Sequence, residues 1–450
     1  MKLEAGKAPV SNLPRRDFIV SSGHAEPTYG AYLMKPTRKL LTTLPKPSVQ
    51  PRRLPTRREA LIAGGAGVAA AFLPGSVQGA PDTRSRTDLG AILSRMTLED
   101  KVGQLLMAYL EPATLQEKIV RYRCGSLLVW GNLKDVDAAD LCELTNRAQA
   151  LSLQHRRLPL WIHGYSAGLG YHPGWLAHAA KASAAAAAEK AAEILGRRWR
   201  AVGLHNFPGP GLNVPLHKTG IMMAWNTAGD LKMVREFGLA AVRGVTRARC
   251  GTMAYHFPAH GATPHDSHDA YPVVDLDRQT LMRDHLEMYR ECFQAGCTTI
   301  CTAHLACPAL DPDPKHIATT SRPILTDFLR GELGFQGVTI ADAIGMYGFG
   351  KNGPADEMSV DAVIAGCDSI CITNDGTGML GKVFDRLMKA AKSKRLTPQR
   401  LDEAVLRNLK FLQWLGLLGA DVRISPKRAR KLLGNENDNR FLAGVIGGGN

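Results

Sequence analysis

From residue 90 onward the chain alternates two kinds of apolar pattern. Short, nearly continuous apolar runs read as buried strands at 105–109, 126–130, 158–163, 204–207, 252–257, 299–304, 338–342 and 369–373. Between most of them, apolar residues recur every three or four positions, the period of a helix with one buried face. These stretches are 137–153, 184–202, 230–247, 278–295, 322–333 and 354–365, with two more at 380–393 and 398–417. Thr97, with Asp100 three residues on, predicts the cap of a short helix. Eight strands alternating with helices predict an α/β fold, a parallel sheet closed as a TIM (β/α)8 barrel. The barrel is expected over 88–418, after a leader at 1–80 and before a basic, flexible C-terminal tail at 419–450.

One strand and the loop after it concentrate chemistry. Residues 250–268 read CGTMAYHFPAHGATPHDSH. The apolar start is a strand, and Pro258 breaks it into a loop holding His260, His265, Asp266 and His268, just after His256. A barrel builds its site from side chains at the C-terminal ends of its strands. The spacing leaves three readings open: a metal site, acid–base chemistry, or a polar connector whose histidines only hydrogen-bond locally.

Composition narrows the function classes. The chain has 450 residues, 45% hydrophobic, enough for a large core. The net charge of +15 suggests an anionic partner, but residues 1–58 hold twelve Lys/Arg against three Asp/Glu. Most of the excess therefore lies in the leader. No basic–aromatic interleaving marks a nucleic-acid binder, so nucleic acid is not expected as a partner. Thr56-Arg57-Arg58-Glu59-Ala60-Leu61, then an uncharged Ala/Gly-rich run at 62–73, then Val77-Gln78-Gly79-Ala80, has the form of a twin-arginine export signal. The twin-arginine export machinery is the expected partner of this leader, and the expected location is outside the cytoplasm. The apolar run is too short for a stable membrane span. Nine cysteines without regular spacing do not form a disulfide framework. Several fall in strand-like runs, where Cys acts as a small hydrophobe.

HFPAHGATPHDSH resembles the K-H-F-P-G-H-G-x-T-x-x-D-S-H signature of glycoside hydrolase family 3, in its β-N-acetylhexosaminidase (β-N-acetylglucosaminidase) branch, single-domain type. Four further segments are similar to family motifs, in the family's order. They are MTLEDKVGQL at 96–105, Thr302-Ala303-His304 with Pro308-Ala309-Leu310-Asp311-Pro312, ILTDFLRGELGFQGVTIADAIGM at 324–346, and Arg400-Leu401-Asp402-Glu403-Ala404-Val405. The resemblance covers roughly residues 90–418 and implies a retaining glycosidase with no cofactor and no catalytic metal.

The same resemblance assigns roles. Asp342 sits on the Asp of the family's T-D-A-L-x-M motif, its nucleophile. His268 and Asp266 sit on its D-S-H, where His is the acid/base and Asp holds it. Histidine titrates near neutrality, and a carboxylate beside it fixes its tautomer and stabilises its charged form. The sugar-binding positions depart from the pattern. The Lys-His pair is Tyr255-His256, the Asp of I-A-x-D-Q-E-G-G becomes His163, and the Asp of P-V-L-D-V becomes Asn213. The Arg of R-S-F falls near Met223, where no Arg exists. Charge-assisted contacts to hydroxyls are thereby lost, and Tyr165, Trp161 and Trp225 are expected to form an aromatic floor instead.

The expected function is an exported, retaining β-N-acetylhexosaminidase-like hydrolase that removes terminal β-linked sugars from cell-wall or other glycans, with carbohydrate as substrate. The alternatives are a catalytically impaired glycan-binding protein on the same barrel, and a metal-dependent hydrolase using His256, His260, His268 and Asp266.

Overall fold

The computed structural model describes residues 87–133, 136–169, 171, 174–216, 230–373 and 378–446. The expected leader at 1–80 with its Arg57-Arg58 segment, Met223 and Trp225 lie outside these residues.

Eight parallel strands close in chain order: β1 (Leu106–Tyr109), β2 (Ser126–Asn132), β3 (Trp161–Ala167), β4 (Asn206–Gly211), β5 (Gly251–Phe257), β6 (Thr299–Thr302), β7 (Val338–Ala341) and β8 (Ser369–Ile372). The ring shuts where β8 pairs with β1, Ile370 opposite Leu106. Each strand overlaps one of the eight apolar runs. The runs are continuous rather than alternating because parallel strands are buried on both faces, by barrel interior and by helices.

The helices follow the 3.6-residue pattern, and their starts are chemically marked. Thr97 accepts from Asp100 N while the Asp100 side chain accepts from Thr97 N, a complete capping box ahead of Leu98–Gln104. Asp137, Asp230 and Thr397 cap Ala138–Arg156, Leu231–Arg247 and Pro398–Trp414 by a side-chain oxygen that accepts one first-turn backbone N–H. Close helix–sheet packing shows at Gly164 of β3. A Cβ there would lie 2.4 Å from Trp199 Nε1 on Ala185–Ala201, so any side chain would drive that helix outward. All nine cysteines are buried and none forms a disulfide, as expected of small core hydrophobes.

The N-terminal end of the barrel is held by one carboxylate. Asp368, directly before β8, is 0% exposed and pairs with Arg330, Arg400 and Arg407 at 2.6, 2.9 and 3.1 Å. Arg400 and Arg407 lie on Pro398–Trp414, so the pairing ties the last helix of the barrel to its last strand. Removing one member of a buried ion cluster strands the others unpaired. Asp368→Ala is therefore expected to lower stability by about 3–5 kcal/mol, read as a drop in the urea midpoint at unchanged slope.

Residues 419–446 differ from the flexible tail expected of them. They carry two helices, Pro426–Leu433 and Glu436–Ile446. Leu442, Val445 and Ile446 fall at i, i+3 and i+4 and are buried, an apolar stripe that the basic composition concealed. Asn146 pins the connecting segment through two 2.9 Å bonds to the backbone of Ile424, and Arg430 reaches Asp137 at 3.0 Å. Among the described residues no helix is long and apolar enough to cross a membrane.

Candidate active site

The C-terminal ends of β5, β6 and β7 bring together side chains from three separate stretches of sequence. Asp342 follows β7 immediately, and its Oδ1 accepts from Ala343 N at 2.8 Å. Its Oδ2 lies 3.6 Å from Nε2 of His256, the penultimate residue of β5. Cys301 of β6 completes the group: one donor atom from each of His256, Cys301 and Asp342 lies within 4.8 Å of the other two.

Burial pushes the Asp342 carboxyl upward. The His256 and His304 rings, the Ala343 N–H and His268 outweigh that, and the net shift is downward. Burial holds His256 and His304 down to about 4, so both rings are neutral at pH 7. Asp342 is thus a lone anion among neutral imidazoles. The Cys301 thiol is raised by burial and by this anion, and stays protonated.

His268 is prepared differently. Its Nδ1 donates to Asp266 Oδ1 at 2.7 Å, and its backbone N–H donates to the same oxygen at 3.0 Å. The hydrogen bond it donates to Asp266 raises its pKa, and the smaller opposing effect of partial burial does not cancel it. Nδ1 carries the shared proton, so Nε2 is the atom that exchanges a proton with a ligand. The turn is locked by neighbours. His260 Nε2 meets Ser267 Oγ at 3.0 Å, and from the loop after β7 Gly348 N donates to Ser267 O at 2.9 Å and Tyr347 N to His268 O at 3.3 Å. The loops bearing His268 and Asp342 are therefore stitched together, and each group lies in the other's field.

The remaining expected contacts fall as follows. Asn213 is fully buried and hydrogen-bonds to both the ring and the backbone N–H of His256. His163 is buried on β3; its Nδ1 donates to Asn206 O at 3.1 Å, its Nε2 has no partner among the described residues, and burial holds its pKa at about 4. Tyr255 is buried, its ring centre 6.3 Å from that of Tyr165 and 4.8 Å from that of His256. The proposed aromatic floor is corrected: Trp161 is fully buried and donates to Asn408, well inside the fold. In its place Trp130 of β2, 48% exposed, stacks on Tyr165 with ring centres 4.6 Å apart and planes within 5°. Trp130 was missed because a strand's last aromatic looks the same in sequence whether it enters the core or the rim. Cys301 and His304 lay in recognised segments, but only the barrel's closure places them beside Asp342. The metal set drawn from His256, His260, His268 and Asp266 does not form. His260 bonds to Ser267 and His268 to Asp266, while Cys301 and Asp342 join His256.

A closed barrel with an ionised carboxylate and an Asp–His couple at its strand ends has the architecture of a TIM-barrel enzyme. The family model "Glycosyl hydrolase family 3 N terminal domain" matches residues 97–411, and the chain belongs to that family. It is 27% identical over 368 residues to beta-hexosaminidase A of Pseudoalteromonas piscicida, covering 74% of this chain and 60% of that protein. It is 27% identical over 344 residues to the beta-N-acetylglucosaminidase/beta-glucosidase of Cellulomonas fimi, covering 72% and 59%. The chain thus spans about three-fifths of each relative's length. A solved structure of a family 3 beta-N-acetylglucosaminidase from Paenibacillus sp. str. FPU-7 superposes with a TM-score of 0.67 at 27% identity, covering 78% of this chain and 69% of that one.

Proposed function

We propose that this chain hydrolyses O-glycosyl bonds of β-linked N-acetylhexosaminides by a retaining route. The observation that carries the reading is ionised Asp342 at the strand ends, beside an Asp266–His268 couple of raised basicity. Asp342 attacks the anomeric carbon as His268 Nε2 protonates the departing oxygen. The same nitrogen then takes a proton from the water that cleaves the glycosyl–Asp342 ester, returning both groups to their starting state. The test is a screen of aryl β-glycosides against wild type, with Asp342→Asn as the blank. Release of the aryl group from an N-acetylhexosaminide, with net retention by NMR, is expected; no release from any glycoside overturns the reading.

Tyr255, buried among aromatic rings where the family signature has Lys, favours a second reading, a glycan binder on the same barrel. Binding of oligosaccharide without turnover would establish it.

The cellular setting belongs to the same proposal. The Arg57-Arg58 segment and the apolar run after it support twin-arginine export, with a glycan outside the cytoplasm, such as a cell wall, as substrate. A mature N-terminus near Pro81 is expected by mass spectrometry, with export lost on Arg57→Lys/Arg58→Lys. A cytoplasmic product retaining Met1 is the opposite result.

A further inference from the structure

Asn213 and His256 share two hydrogen bonds of different kinds. The backbone N–H of His256 donates to Asn213 Oδ1 at 3.0 Å. A backbone N–H cannot accept, so the atom facing it is the amide oxygen, and the orientation of the amide follows. The amide nitrogen is then the atom 3.3 Å from His256 Nδ1. It has only hydrogens to offer, so Nδ1 accepts. In a neutral imidazole the other nitrogen carries the proton. Nε2–H therefore faces Asp342 Oδ2, 3.6 Å away.

We propose that Asn213 is a positioning residue that locks His256 in the Nε2–H tautomer, making the ring a donor toward Asp342 and toward whatever binds beside it. Two consequences follow. The ligand group that meets His256 is an acceptor, such as a hydroxyl or carbonyl oxygen. The lock also decides the character of the His256–Cys301–Asp342 group. Its donor atoms, from three neighbouring strands, lie within 4.8 Å of one another, close enough to share a divalent cation. A cation needs the Nε2 lone pair, and Asn213 keeps a proton there. Aspartate at position 213 would reverse this. Its carboxylate can accept from both the backbone N–H and Nδ1–H, the arrangement that orients a metal-binding histidine. The cation would then bind the bare Nε2, and only the Cys301 proton would be lost, to water.

The tautomer rests on hydrogen bonding alone; its bearing on catalysis rests on Asp342 being the nucleophile. The test is long-range proton–nitrogen NMR of the histidine-labelled protein at pH 7. Wild-type His256 is expected to show a protonated Nε2 and bare Nδ1, and Asn213→Asp a protonated Nδ1. Cobalt(II) is the metal probe. It should bind Asn213→Asp about ten- to a hundredfold more tightly than wild type, with a thiolate-to-cobalt absorption band that vanishes in Asn213→Asp/Cys301→Ala. A protonated Nδ1 in wild type overturns the proposal, and so does an Asn213→Asp protein with unchanged spectrum and cobalt affinity. If Asn213→Asp does not fold, the wild-type spectrum decides. Absence of glycosidase turnover bears on the function above and leaves the tautomer result standing.

Discussion

Asp342→Ala is expected to lower turnover of every substrate by roughly 10⁴- to 10⁶-fold, the scale seen when a nucleophile is removed from an assembled site. The reason is local. The Ala343 N–H, His256 and Cys301, which lie at the Asp342 oxygens, are all neutral. Cys301 stays protonated and His256 turns a ring N–H toward the carboxylate, so neither can take over the attack. The loss should be independent of the leaving group, because no glycosyl–enzyme ester can form. A small anion such as azide, seated where the carboxylate stood, attacks the face opposite the leaving group and is expected to give a glycosyl azide of inverted configuration. Turnover of Asp342→Ala within tenfold of wild type would remove Asp342 from the mechanism.

His268→Ala is expected to behave differently, with a loss of roughly 10²- to 10⁴-fold that depends on the leaving group. An alkyl glycoside needs the proton from His268, whereas an activated aryl glycoside departs without it. The first step of the aryl reaction should therefore survive and the second stall, so that the Asp342 ester accumulates as a burst. The pH profile follows from the same groups. Protonated His268 is the acid, and its raised pKa carries activity above the ordinary imidazole range before the alkaline limb falls. Asp342 must be ionised, and its lowered pKa keeps the acid limb below the ordinary carboxylate range. Asp266→Asn removes the main cause of the His268 shift. Its alkaline limb should move to lower pH while the acid limb stays. An unmoved alkaline limb in that variant would separate His268 from the profile.

The two halves of the site were unequally legible in the sequence. Asp266 and His268 are two residues apart, and their couple needs only one turn of a loop. Asp342 is 74 positions beyond His268 in the chain, and it was marked by its place at the end of an apolar run together with the resemblance of that segment to a family motif. What the sequence could not show is which side of a neighbour each group takes. His163 and His256 both replace or flank sugar-binding positions, yet one donates through Nδ1 to a strand carbonyl and the other accepts there from an amide. Their Nε2 atoms consequently have opposite character.

The sequence by itself determined the fold class, because eight apolar runs separated by helical periods admit few closed arrangements. It also determined the short-range devices: the Thr97–Asp100 capping box and the Asp266–His268 bond each join residues two or three apart. The tertiary structure decided everything that depends on strands becoming neighbours. Closure of the ring sets Cys301 and His256 beside Asp342, buries Trp161 while leaving Trp130 at the rim, and turns residues 426–446 from a basic tail into two packed helices. The physical reason is that burial and the partners of a polar atom are properties of the surroundings. Period and composition say that a side chain is apolar or titratable; only packing says what faces it, and hence where its proton resides.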